Sequence, residues 1–407
     1  MLMLLFPALI ACSERRKEEP LECDDIERSE IVDETTLEVV DSNHQFAFNI
    51  YAELSESDNV FLSPYSISTA LGMLHLGAEQ NTEHEMSDML GVFAEGAEDW
   101  HLGQGTLLQE FELNDNCDYQ LSVANRAYFQ TGYNFNEQFA DDLSRLYQSE
   151  VGELDFASDP NASRIEINEW VSEKTNEHIS ELFPEGTINS ATRLVLTNAI
   201  YLNGPWDSEF DPDSTFTTDF YLADGTSTDV EMMSQSDMAF SVAHHDTFQI
   251  VEIPYKGEEL VFTAIVPFDA TGLEAIEAEL DAEKISSWKE DMYQTEGHVS
   301  MPKFEMRYKE LLNETLEKMG MQDAFTGAAD FTGISEEGGL SVDVVIHEAW
   351  LKVSEEGTEA AAATGISVGE TSAGEFVQMN KPFIFLIEDK LSGSILFMGK
   401  LADPSQL

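Results

Sequence analysis

Residues 354–376 read "SEEGTEAAAATGISVGETSAGEF" and set four alanines, Ala360–Ala363, ahead of small residues broken by glycine. Three conformations compete for such a stretch. Alanine has the best helix propensity, but Gly365, Gly369 and Gly374, with Thr364, Ile366 and Val368 among them, oppose a helix of any length. A flexible linker would have to separate two domains, and only about thirty residues of apolar strand follow, too few for a second core. Written with period two, Thr358, Ala360, Ala362, Thr364, Ile366 and Val368 fall on one face, small or apolar throughout, with Glu359 and Ser367 on the other. That is a latent strand. Its narrow side chains let it slip between two existing strands, so a segment exposed in one state becomes a central strand in another.

Upstream, "GGLSVDVVIHEAWLKVS" reads as one long strand leading into this stretch, and downstream "KPFIFLIEDKLSGSILFMGKL" gives two apolar strands around a Ser392–Gly393 turn. "RLVLTNAIYL", residues 193–202, is apolar on both faces and belongs in the middle of a covered sheet, with Asn198 as an interior polar group needing a partner. Leu121, Val123, Ala127 and Phe129 share one face of another strand, and Asp224–Gly225 and Lys256–Gly257 read as hairpin turns between strands of 216–266.

Helical spacing dominates earlier. Phe46, Ile50 and Leu54 recur every fourth residue, and Ser63–Pro64 opens a second helix with Ile67, Ala70, Leu71 and Leu74 on one face. Thr82 with Glu85 reads as a capping box for a third helix, stopped at Gly91. Ile167, Val171, Thr175 and Ile179 sit one helical turn apart, and "LLNETLEKMG" closes a late helix at Gly320. The pattern predicts a single α+β domain over 36–407, with helices concentrated in the N-terminal half and several β-sheets after them.

Composition bounds the partners. Twenty basic against 79 acidic residues give a formal charge of -59, which repels phosphate backbones and offers anionic lipid no basic patch. Nucleic acid is excluded as a partner on that ground. The acidic residues are spread along the chain and read as a solvated surface suited to high salt; no D-x-[DN]-x-[DN]-G calcium loop occurs. Residues 1–11 carry an apolar run of signal-peptide size that ends Leu9–Ile10–Ala11–Cys12. It resembles the lipobox of bacterial lipoproteins, which implies an extracytoplasmic, lipoprotein or secreted chain whose membrane contact is a lipid on Cys12; an ordinary secretory signal is the alternative. Residues 12–35 read as a flexible acidic spacer. With Cys12 lipidated, Cys23 and Cys117 cannot make a disulfide framework.

Catalytic constellations are not read in this chain. His347–Glu348–Ala349–Trp350–Leu351 starts like a zinc-protease helix but has leucine at the second histidine position. No Walker A loop, G-x-G-x-x-G or C-x-x-C occurs, and no nucleophile elbow of the G-x-S-x-G kind is read. His244 and His245 read as a solvated pair at a strand end, and Asn161 and Asn313 head glycosylation sequons by pattern only. The expectation is a protein that is not an enzyme, with no cofactor and no metal.

"EEGTEAAAAT" resembles the reactive-loop hinge of inhibitory serpins, and "FLSPYSISTALGMLHLGA", "LTNAIYLNGPWDSEF", "MPKFEM", "ADFTGIS", "NKPFIFLI" and "LFMGKL" resemble serpin motifs in the family's order over about residues 36–404. The resemblance implies the serpin fold with an exposed reactive-centre loop, 355–379. It implies a monomer that acts as an irreversible suicide substrate: a serine protease cleaves the loop, forms an acyl-enzyme, and is carried along as the loop inserts into the main sheet. Inserting roughly ten residues makes on the order of ten backbone hydrogen bonds at ~1 kcal/mol net each, plus apolar burial. The sum, ~10–20 kcal/mol, exceeds the about 5–15 kcal/mol of an ordinary domain, so the uncut form is a kinetic trap.

The family's loop length, counted from Gly357 and from Asn380, puts the reactive bond at Thr371–Ser372. Thr371 suits a shallow, uncharged primary pocket of elastase-like or subtilisin-like enzymes; a register one residue earlier makes Glu370 the specificity residue and a glutamate-specific protease the target. The same resemblance makes Glu355, Glu356, Gly357, Thr358, Glu359, Ala360, Ala361, Ala362, Ala363 and Thr364 the hinge, Ser63, Ser66, Asn198 and His347 the shutter beneath the sheet, and Trp206 the breach where insertion starts. The alternatives are a non-inhibitory serpin acting as a binding or chaperone-like protein, or an inhibitor of papain-like proteases.

Overall fold

The computed structural model describes residues 32–113, 119–358 and 374–407. The signal segment with Cys12, Cys23, Cys117, the hinge residues Glu359, Ala360, Ala361, Ala362, Ala363 and Thr364, and Glu370, Thr371 and Ser372 lie outside the described residues.

The chain begins with α1 (Glu34–Leu54), β1 (Asn59–Leu62), α2 (Pro64–His75), α3 (Gln80–Leu90) and α4 (Ala97–Leu113). It continues through β2 (Gln120–Gln130), α5 (Glu137–Tyr147), β3 (Glu150–Leu154), α6 (Pro160–Lys174) and β4 (Leu194–Pro205). Four strands follow, β5 (Phe216–Tyr221), β6 (Ser227–His244), β7 (Phe248–Pro254) and β8 (Leu260–Pro267), then the short helices α7 (Leu273–Glu277) and α8 (Ala282–Lys289). Last come β9 (Tyr293–Pro302), β10 (Phe304–Leu311), α9 (Asn313–Lys318), β11 (Ile346–Val353), β12 (Gly357–Thr358), β13 (Glu375–Gln378), β14 (Phe383–Asp389) and β15 (Ile395–Leu401).

Among the described residues these strands form two sheets. Nine strands run in the order β1-β15-β14-β8-β7-β6-β9-β13 with β5 on β6; six run β10-β11-β12-β4-β2-β3. The Asp224–Gly225, Lys256–Gly257 and Ser392–Gly393 turns join β5 to β6, β7 to β8 and β14 to β15, with the three glycines at positive φ.

The six-stranded sheet is covered on both faces. Along β4, Ile200 and Leu202 point into the main core with α1 and α2, whereas Val195 and Ala199 join a second apolar cluster with Ile167, Trp170 and Val171 of α6. This is why "RLVLTNAIYL" carries apolar residues at both parities. Ser63 caps α2 by accepting the Ser66 N–H, and Pro64 fills the first helical position, where its missing N–H is harmless.

Four local expectations change. The stretch 12–35 reads as spacer, yet α1 starts at Glu34, because Asp33 accepts the Thr36 N–H at 2.8 Å and caps the helix. Thr82 and Glu85 make no capping box: α3 begins at Gln80, Thr82 Oγ1 accepts the Asp330 N–H, and Glu85 accepts those of Gln322 and Asp323. The long strand into the hinge starts only at Ile346, since Val342 and Val345 bond to Ala324, Leu312 and Asn313 beyond the end of β10. His245 is not a solvated ring; it stacks on Phe248 at 4.6 Å and its Nε2 meets the Trp288 carbonyl.

Fully buried Phe385 ties the two sheets together, its ring 5.9 Å from Phe61, 5.3 Å from Phe262 and 5.6 Å from Phe304 of β10. Phe385→Ala should cost about 3–5 kcal/mol, read as a lowered urea midpoint; an unmoved midpoint would mean that this cluster does not hold the sheets.

Candidate functional site

Ser354, at the end of β11, begins a tight turn. Its N–H donates to the Gly357 carbonyl at 2.9 Å, and the Gly357 N–H returns to Ser354 at 3.3 Å. Gly357 sits at φ +151°, and a Cβ there would lie 2.2 Å from the Gly204 carbonyl oxygen, so the turn admits no side chain at that position. The Trp206 and Phe210 N–H groups donate to the carbonyls of Glu356 and Glu355, and Trp206 Nε1 donates to Ser354 at 3.0 Å. Trp206, 1% exposed, stacks on Tyr255 at 4.7 Å.

Glu355 is clamped by Lys303 at 2.9 Å and by Thr215, whose hydroxyl donates at 2.7 Å. Burial alone would raise its carboxyl, but these hydrogen bonds bring it below the ordinary glutamate value.

The turn delivers β12 into the sheet. Thr358 pairs with Val353 of β11 on one side and with Gly204 of β4 on the other. Its side chain is buried and its Oγ1 shares a 2.7 Å hydrogen bond with Tyr255 Oη. Beyond this wedge no pairing joins β4 to β11 among the described residues. The two strands flank a cavity of about 390 Å³, bounded by Ile67 and Leu74 of α2 on one face and by Val171, Ile179 and Phe183 on the other. Among the described residues this leaves a slot between β4 and β11, roofed on both faces.

Ser63, Ser66, Asn198 and His347 converge on the α2 side of that slot. The Ser63 N–H donates to His347 Nε2 at 3.1 Å, the Ser66 N–H to Ser63 Oγ, and Ser66 Oγ to Asn198 Oδ1. Asn198 Nδ2 donates to Asn125 of β2 at 2.7 Å, and Asn125 to the Tyr147 carbonyl. One polar chain therefore runs from β11 to β4 and on to β2 across the first turn of α2. Nε2 must accept, so His347 is neutral, and burial pushes its pKa down to about 4. His347 lies in strand β11, far from the helix that a zinc-protease motif requires.

Asn125, Tyr255, Lys303 and Thr215 are contributors that sequence reading missed. Asn125 had a readable signal, an amide inside an apolar strand; the other three reach the hinge only through tertiary contacts. One sequence statement also needs correction: Gly365–Ile366–Ser367–Val368–Gly369 does match G-x-S-x-G by letter. It lies outside the described residues, and its period-two run of small residues is not the strand-to-helix sequence of a nucleophile elbow. Among the described residues, no group of three or more His, Cys, Asp or Glu side chains is placed to hold a metal ion.

Residues 41–404 match the family model described as serpin (serine protease inhibitor). The chain belongs to the serpin family. It is 37% identical over 385 residues to human "Serpin B4", covering 89% of this chain and 99% of that one. It is 37% identical over 369 residues to the "Leukocyte elastase inhibitor" of Xenopus laevis, covering 88% and 97%. Its fold superposes on a loop-inserted, cleaved ovalbumin mutant with a TM-score of 0.83, 25% identity and coverage of 90% and 100%, and on uncleaved ovalbumin with a TM-score of 0.79 at the same identity and coverage. Of the residues expected in the shutter, breach and hinge of such a serpin, those described lie along one slot, Trp206 and Glu355–Thr358 at its mouth and Ser63, Ser66, Asn198 and His347 on its α2 face part-way down.

Histidine linkage gives the site a pH signature. His347, held near pKa 4 in the fold against 6.5 when free, stays neutral while the unfolded chain takes up protons. Its contribution is complete above pH 6.5 and is lost as pH falls toward 4. The loss reaches about 2 kcal/mol by pH 5, and buried His75, held near 4, adds in the same sense. Urea midpoints at pH 7.5 and 5 should drop steeply for wild type and less for His347→Gln; equal drops would remove His347 from the account.

Proposed function

We propose that this serpin inhibits serine endopeptidases of elastase-like or subtilisin-like specificity as a suicide substrate, with Thr371–Ser372 as the reactive bond. The observation that carries the reading is the double pairing of Thr358 between β11 and β4, at the mouth of the slot. Continuing that register, each later residue of the loop meets β4 on one side and β11 on the other. The small face from Thr358 to Val368 then turns toward α2 and the main core.

The far end of the loop is anchored elsewhere. β13 pairs in parallel with β9, Glu375 opposite Gly297, in the nine-stranded sheet. The uncut loop is thus tied to both sheets, and full entry into the slot requires either that β13 leave β9 or a break between Thr358 and Glu375. The protease serine supplies it: Oγ adds to the Thr371 carbonyl, the bond to Ser372 breaks, and its amine departs with a proton, leaving an ester that joins the protease to the inserting strand.

Thr371 supports the target class by size, since it offers neither the cation a trypsin pocket seeks nor a large apolar group. The printed name of the Xenopus relative supports the same class.

Mixed with an elastase-like or subtilisin-like protease, the protein should give a covalent band that survives denaturant, and the mass of the released fragment should begin at Ser372. Thr358→Arg, which puts a cation where the wild-type side chain is 1% exposed, should stall the first inserted pair and give clipped protein without the band. Clipping of wild type with no covalent band would overturn the proposal; a fragment beginning at Thr371 would move the specificity residue to Glu370.

A further inference from the structure

Between α6 and β4 the chain crosses the outer face of the slot. The His178 ring lies 3.6 Å from the Trp350 ring of β11, interplanar angle 15°, and 6.1 Å from the Tyr201 ring of β4, interplanar angle 8°. Gly204 and Val353 both pair with Thr358, and Tyr201 and Trp350 lie three residues before them, so they occupy the same row of the slot on its two sides. Three near-parallel rings therefore bridge the opening at the third row below β12.

The crossing segment is fastened on the β11 side. Arg307 Nη2 donates to the His178 carbonyl at 2.6 Å, and Lys309 donates to the Glu181 carbonyl. Both cations close on Glu348, at 2.7 Å and 3.0 Å, with the carboxylate side chain 5% exposed. Trp350 is itself held by Glu305, which accepts its Nε1–H at 3.0 Å. Toward α6, Asn168 exchanges two hydrogen bonds with Phe183.

We infer that His178 is a positioning residue for strand insertion, a latch whose stack across Tyr201 and Trp350 sets how fast a new strand advances through the slot. The inference rests on the insertion reading above. A strand laid between β4 and β11 carries a side chain into that row, on the same face as Tyr201 and Trp350, because directly opposed residues share a face. The imidazole occupies that space and must lift before the row can fill. The residue due there is the third after Thr358, an alanine, whose side chain takes the place of the ring between Tyr201 and Trp350. The stack then slows passage without deciding the end state.

An aromatic stack of this kind is worth roughly a threefold to tenfold change in rate. Uncut full-length protein held below its melting temperature should convert to a heat-resistant, loop-inserted form, followed on urea-gradient gels. His178→Ala should convert about threefold to tenfold faster, and His178→Phe, which keeps a ring, should return to the wild-type rate. After loop cleavage by a metalloprotease, which forms no acyl-enzyme and so leaves no covalent complex, all three should melt at the same temperature, which a merely structural loss would not allow. A His178→Ala variant that converts no faster, or a cleaved variant that melts well below cleaved wild type, would overturn the latch while leaving insertion intact. Wild type that gains no heat resistance on cleavage would remove insertion and latch together.

Discussion

Everything about the slot depends on one residue, Thr358, that pairs in two directions. Gly357 and Thr358 stand between β11 and β4, and by doing so they hold apart strands that could otherwise bond to each other. Below Thr358 no described residue pairs with the facing edges of β4 and β11, and backbone groups left unpaired away from water cost about as much as a lost hydrogen bond. The wedge persists because its turn is fixed from several sides: Trp206 and Phe210 bond its carbonyls, Lys303 and Thr215 hold Glu355, and Tyr255 meets Thr358. The open edges are thus a consequence of a well-satisfied hinge.

The two faces of the slot are closed by different chemistry. On the α2 side the closure is a chain of neutral hydrogen bonds from His347 through Ser63, Ser66 and Asn198 to Asn125. Such bonds are individually modest and can be exchanged row by row. On the α6 side it is an aromatic stack with an ionic anchor, Arg307 and Lys309 on the Glu348 carboxylate. In a chain with 20 basic residues against 79 acidic ones, cations are scarce, yet Lys303, Arg307 and Lys309 all serve the hinge or the crossing segment.

Sequence patterns disclosed the periodic parts of this architecture and the letters of the site. The alternation in "NRAYF" and the two-faced apolarity of "RLVLTNAIYL" mark strands because burial on one or both faces leaves a period-two trace. Thr82 and Glu85 misled because a capping box and a tertiary anchor use the same side-chain oxygens, and only the neighbouring 322–330 segment decides between them. The strand before the hinge reads too long because Val342, Val344 and Val345 have strand-like character, while Val342 bonds to Ala324 and Val345 to Leu312 and Asn313, none of them in a strand. Asn198 announced its need for a partner, and the register of β2 on β4, Asn125 opposite Asn198, supplied one that no local pattern could fix. His178 carried no signal at all; its meaning arises from two rings that the sheet brings to one row.

The placement of the loop's two ends explains why one sequence can hold two arrangements. Thr358 belongs to the six-stranded sheet and Glu375 to the nine-stranded sheet, so an intact chain between them cannot satisfy the slot fully without giving up β13. On the insertion reading proposed above, cutting removes that conflict, and the facing edges of β4 and β11 become available to the freed strand. The stability difference is therefore stored in connectivity, as a topological constraint, and not in any strained residue. What governs function is then the competition between two rates, advance of the strand past the closures on each face and hydrolysis of the ester that links the protease to it. A closure that is too firm favours hydrolysis, and one that is too loose lets the uncut loop enter before any protease arrives. A face of exchangeable hydrogen bonds opposite a face locked by rings and an ionic anchor places the barrier between those limits.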